Sequence, residues 1–197
     1  MIRLLSLAAA LLTAAATVAH AHTGAGEAAG FAHGLAHPLG GLDHVLVMIA
    51  VGLFAAHLGG RALWLVPLSF LAMMAVGGVL GMVGIGVPFV EIGIGLSVVV
   101  LGLAVAFGMH VPTAAAMALV GLFALFHGHA HGAEMPDAVS GLAYAAGFVL
   151  ATALLHAFGI GLGLALGKTG AAIGRGALRT AGSAMALAGV AILAGLL

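Results

Sequence analysis

The chain has 197 residues, of which 64% are hydrophobic and 5% charged, and its mean hydropathy is +1.33, whereas a soluble domain carries about 25% charged residues. These values exclude a soluble globular core and predict an integral membrane protein whose 33 glycines let helix backbones approach closely. Five basic residues balance five acidic ones, so no net field draws nucleic acid or anionic lipid, and the absence of cysteine excludes disulfides, thiolate metal sites and cysteine nucleophiles.

At the N-terminus, Arg3 precedes an apolar stretch from Leu4 to Val18 and the small-x-small sequence Ala19-His20-Ala21. This pattern predicts a cleaved secretory signal over residues 1–21, with an uncleaved first anchor as the alternative, and a mature domain over 22–197 that begins at His22. A polar, glycine-rich segment from His22 to Gly34 follows. Hydropathy then predicts an all-α bundle of six spans, at about Leu39 to Leu58, Ala62 to Met82, Val87 to Phe107, Pro112 to Phe126, Ala138 to Gly161 and Ala177 to Leu196.

Short cytoplasmic loops collect Lys and Arg. Arg61 lies between the first two spans, and Lys168, Arg175 and Arg179 lie around the link between the last two, so both links fall on one side. The other side holds Glu27, Glu134 and Asp137, and an exported N-terminus places it outside.

With that topology His33, His37, Asp43 and His44 gather at the outer end of the first span, and Glu91 lies near the outer end of the third. His127, His129 and His131 alternate with small residues in what reads as a loop at the outer end of the fourth span, a composition that suits metal binding. His156 falls in the deeper half of the fifth span. The ionisable groups thus form a funnel from outside toward the centre, while His57 and His110 fall at inner ends, either as an exit or as plain interfacial residues. A charged acid at the bilayer centre costs about 2.5 to 3.5 kcal/mol, so such residues usually face the bundle interior and mark an ion pathway.

Imidazole suits divalent Ni, Cu, Zn and Fe, and a carboxylate such as Asp43 serves as ligand or as the acceptor that orients the adjacent His44 ring. His37 and His44, seven residues apart, would share a helix face, although Pro38 disfavours helix at His37. His22, once exposed, offers an α-amine and an imidazole to one ion. Each residue also has a structural reading: His156 packed against a backbone carbonyl, Glu91 solvated at a helix end, the histidine segment a plain loop, and the nine methionines core packing.

The run His37-Pro38-Leu39-Gly40-Gly41-Leu42-Asp43-His44-Val45-Leu46-Val47-Met48 resembles the signature of the HupE/UreJ family of hydrogenase and urease accessory proteins. Further similarity lies in Ala62-Leu63-Trp64-Leu65-Val66-Pro67, in Leu125-Phe126-His127-Gly128-His129-Ala130-His131-Gly132 and in Ala151-Thr152-Ala153-Leu154-Leu155-His156. The resemblance spans nearly the whole mature chain. It implies a nickel permease of the bacterial cytoplasmic membrane, with a cleaved signal and six spans, that feeds hydrogenase or urease maturation proteins. The metal-associated positions it implies are His37, Asp43, His44, His127 and His129.

The expectation is therefore a non-enzymatic carrier of Ni(II), with Co(II) as the closest rival ion and no organic cofactor or nucleic acid involved. The alternative is a membrane-bound metal-binding or storage protein that moves nothing. An intramembrane hydrolase finds no support, because the chain lacks a His-Glu-x-x-His helix.

Overall fold

The computed structural model describes residues 25–135, 141–169 and 171–197. The predicted signal, its cleavage point and His22 lie outside the described residues. Among these residues seven helices follow one another: α1 (Ala25–Gly40), α2 (Leu42–Leu58), α3 (Ala62–Met82), α4 (Val90–Phe107), α5 (Thr113–Ala133), α6 (Gly141–Lys168) and α7 (Ala171–Leu193). Among the described residues there is no β-strand.

Five of these, α3 to α7, are long and apolar enough to cross a membrane, and α1 with α2 would together make a sixth span, bent by 83° at Gly41. The chain is a multi-pass membrane protein. The expected first span is thus replaced by a broken pair, and residues 25–34 of the polar, glycine-rich segment before it are helical in α1.

The bend has a local cause. Gly41 is extended (φ −102°, ψ 122°) and separates the two helices, and α2 then restarts with the Gly41 carbonyl accepting from Val45 N at 3.1 Å. Asp43 in the first turn accepts from the otherwise orphaned His44 N–H at 2.8 Å. His37 and His44 therefore do not share a face of one helix. Pro38 lies inside α1, which continues to Gly40. Packing on α6 holds that last turn in place: Gly34 approaches so closely that a Cβ on it would stand 2.0 Å from the Tyr144 carbonyl oxygen.

α2 is the central helix and touches all six others. From Val47 to Ala55 almost every residue is buried, including Met48, Leu53 and Phe54. The remaining helices are seated by glycines rather than by large side chains. α3 and α5 run parallel, and a Cβ on Gly128 or Gly132 would lie 2.0 or 2.1 Å from the carbonyl oxygen of Met74 or Gly78. α2 and α6 cross in the same way at Gly52 and Gly159, and α4 and α7 cross antiparallel at Gly102 and Gly182. Hydrocarbon gives no hydrophobic drive between helices, so this backbone approach supplies dispersion contact instead.

The α3–α5 crossing corrects a second expectation. The histidine segment is not a loop: α5 continues past Phe126 to Ala133. A glycine inside a helix costs about 1 kcal/mol relative to alanine, but Gly128 and Gly132 are where α3 makes contact, and packing there outweighs propensity.

Candidate metal site

Helical geometry sorts the three histidines of α5. His127 and His131, four residues apart, lie on one face and are buried; His129 points the other way, where its Nε2 donates to the Ile85 carbonyl oxygen at 2.9 Å. The connector between α3 and α4 is thereby tied to α5, and His129 stands apart from the other two. This differs from the expectation of three histidines in one loop.

At the start of α2, His44 Nδ1 donates to Asp43 Oδ1 at 3.0 Å. That hydrogen bond leaves His44 Nε2 with a lone pair, the arrangement in which a carboxylate sets the tautomer of a ligating histidine. The same Nε2 lies 3.0 Å from His127 Nδ1 and meets His131 Nε2. Three imidazoles from two helices therefore converge, with His44 6%, His127 0% and His131 7% exposed. On its other side His127 Nε2 is 2.8 Å from Ser97 Oγ of α4, a residue that no sequence signal marks.

Toward the surface the cluster opens into a cavity of about 470 Å³ lined by His33, His37, Asp43, His44, Glu91, His131 and Glu134. His37 Nε2 stands 3.7 Å from Glu134 Oε2, and one ligand atom each from His37, His131 and Glu134 all lie within 4.8 Å of one another. The sequence places Glu134 on the outer side but not among the candidate ligands; with the segment read as a loop, its position one turn beyond His131 carried no meaning. Glu91, in the first turn of α4, lines the same cavity from an exposed position. Across the bend at Gly41, α1 and α2 both line this cavity, so His37 and His44 reach it through the break rather than along one helix.

Below the cluster, the Phe70 ring of α3 lies 5.9 Å from His127 and 5.0 Å from His156 of α6. His156 is 1% exposed, and among the described residues neither of its ring nitrogens has a hydrogen-bond partner. A buried imidazole normally finds one. One turn away on α6, Thr152 Oγ1 faces Met74 Sδ at 3.9 Å. The structure thus collects His33, His37, Asp43, His44, Glu91 and His131 around one cavity, sets His127 directly beneath, places His156 past Phe70, and leaves His129 outside the group.

The family model described as HupE / UreJ protein matches residues 9–192 of the chain. Protein HupE of Rhizobium leguminosarum bv. viciae is 50% identical over 180 residues, which cover 91% of this chain and 92% of that protein. No solved structure matches. A match across nearly the full length, through the helices that carry the histidine cluster, shows that this chain belongs to the HupE/UreJ family.

Proposed function

We propose that the protein carries a divalent transition metal ion, Ni(II) first and Co(II) as the nearest rival, across the bacterial cytoplasmic membrane into the cell, where hydrogenase or urease maturation uses it. The observation that carries this reading is the ladder of imidazoles: an open cavity with His37, Glu134 and Asp43, then the buried His44, His127 and His131, then His156 deeper in the bundle. The metal residues proposed are His37, Asp43, His44, His127, His131, Glu91, His156 and His33, with Glu134 added; His129 serves as a tether, and His22 remains a proposal from sequence alone.

The ligand set fits a conducted ion. Conduction needs sites that replace hydration and then release, and imidazoles backed by one or two carboxylates bind borderline cations without a thiolate trap. In this mechanism the ion is gathered at the mouth by Glu134 and His37 and passes to the Nε2 lone pair of His44, which Asp43 holds in place. Facilitated entry suffices as a drive: the membrane potential is worth about 2.3 kcal/mol per charge per 100 mV, so about 4.6 kcal/mol for a divalent ion, roughly a 2,000-fold ratio. The cavity end is assigned outside, with the mature N-terminus periplasmic after signal cleavage.

The test is metal uptake by sealed vesicles holding the purified protein, with Ni, Co, Zn and Cu compared under an imposed potential. Flux of Ni(II) that Asp43→Asn and His44→Ala abolish, while both variants still insert, supports the reading; normal flux in either variant overturns the role of that residue. Tight binding without flux would favour the second reading, a membrane-bound nickel-binding or storage protein, for which the enclosed cluster is equally suited.

A further inference from the structure

Among the described residues, two histidines have no role in the site above. His57 lies in the last turn of α2, about 20 Å along the helix from His44 at 1.5 Å per residue. His110 lies in the connector between α4 and α5. Both are at the end of the bundle that carries Arg61, opposite the mouth cavity.

The two rings come from separate elements, yet His57 Nε2 stands 3.2 Å from His110 Nδ1, with ring centroids 4.3 Å apart and planes inclined at 67°. The Gly108 carbonyl oxygen is 3.1 Å from the same His110 Nδ1. Gly108 ends α4 in the left-handed region (φ +58°), and a Cβ there would sit 3.3 Å from His57 Cε1. Glycine at this position thus turns the connector back and lets it close over His57.

The spacing admits ligation of one ion as well as hydrogen bonding. Two nitrogens bound at about 2.0 to 2.1 Å and separated by 90 to 110° lie about 2.9 to 3.4 Å apart. The His–His and His–carbonyl distances both fall in that interval. A hydrogen bond alone is a weak reason for the pairing, because His110 is exposed and His57 half-buried, so water could satisfy either ring. On the His57 side lies a cavity of about 340 Å³ lined by His57, Leu178 and Arg175.

We propose that His57, His110 and the Gly108 carbonyl form a second metal site, for a borderline divalent ion, at the end of the bundle opposite the His44 cluster. Binding there does not depend on transport; within the reading above, it is the point from which the ion leaves.

The test uses the full chain in detergent with Asp43→Asn, His44→Ala, His131→Ala and Glu134→Gln introduced to disable the mouth cavity and the buried cluster, titrated with Co(II) by calorimetry and by its visible absorption. The expected result is one residual Co(II) site with nitrogen ligation whose affinity falls tenfold or more on His110→Ala and on His57→Gln. Circular dichroism that matches the parent confirms the fold, and His110→Ala, on an exposed connector, disturbs it least. An absent residual site, or an affinity that both substitutions leave within twofold, overturns the proposal. A protein that shows this site and yet passes no ion in vesicles refutes transport and leaves the second site standing, whereas a protein that transports but lacks this residual site refutes the second site alone.

Discussion

At the scale of single residues, the proposed function turns on which nitrogen keeps a lone pair. Asp43 accepts from His44 Nδ1, and that one contact directs His44 Nε2 toward His127 and His131. Exchange of Asp43 for asparagine keeps the shape but removes the charge that holds this tautomer. The same logic separates two histidines that look equivalent in sequence. Sequence reasoning expects a mild loss at both His129 and His131, chiefly at low nickel. In the structure His131 lies in the buried cluster and His129 on the opposite face of α5. His131→Ala is therefore expected to reduce initial Ni(II) uptake tenfold or more, and His129→Ala to leave it within about twofold, as measured in the same vesicles. Equal losses in the two variants would show that the face of α5 does not matter. Glu134 teaches a related lesson: it could have been found from sequence by reading the segment as helix, where His131 and Glu134 are one turn apart. Ser97 could not, since nothing in an apolar span distinguishes a serine that meets His127 from one that bonds only its own helix.

At the scale of helices, two devices build the site. One is the break at Gly41, which lets α1 leave α2 at 83° and opens the cavity between them. Its φ is ordinary, so the need for glycine is spatial: a Cβ would stand 2.6 Å from Asp43 Oδ1 and 3.1 Å from His44 Nδ1. Gly41→Ala is expected to displace the Asp43 carboxylate and to lower uptake at least tenfold, with insertion and helix content unchanged by circular dichroism; uptake at the wild-type level would show that the pair tolerates the methyl group. The other device is the α3–α5 crossing. Gly128→Val would force apart two backbones now in contact, a larger insertion than packed interiors accept without shifts that cost about 1 to 3 kcal/mol. The expected outcome is a lower unfolding temperature in detergent together with loss of metal binding, since His127 and His131 flank Gly128 on the same helix. A variant as stable as the parent would mean that α3 is not what seats α5.

At the scale of the molecule, the arrangement is polar from end to end without net charge. Asp43, Glu91 and Glu134 stand at one end; Arg61, Lys168 and Arg175 belong to the other, and α2 runs between them in contact with every other helix. The proposed orientation follows from that asymmetry and is open to direct measurement, because the chain has no cysteine of its own. Gly86→Cys, in the connector tied by His129, is expected to react with a membrane-impermeant maleimide added outside intact cells, and Thr169→Cys only after the membrane is opened. The reverse pattern would invert the proposed direction of transport.

Membrane residence, the helical class and the family were legible in the chain itself, because each rests on local and additive properties: apolar runs of span length, few charges, and short runs such as Leu42-Asp43-His44 that keep their identity whatever the fold. The grouping of His33, His37, Asp43, His44 and Glu91 at one end was legible too, since helix length and alternation place residues along the membrane normal. Tertiary structure alone decided what lies around each helix. It set the break between α1 and α2, the helical state of the histidine segment, the separation of His129 from His131 and the recruitment of Ser97, Glu134 and Phe70. These depend on which backbones meet at glycines such as Gly34, Gly77 and Gly128, and a residue with no side chain carries no pattern that names its partner.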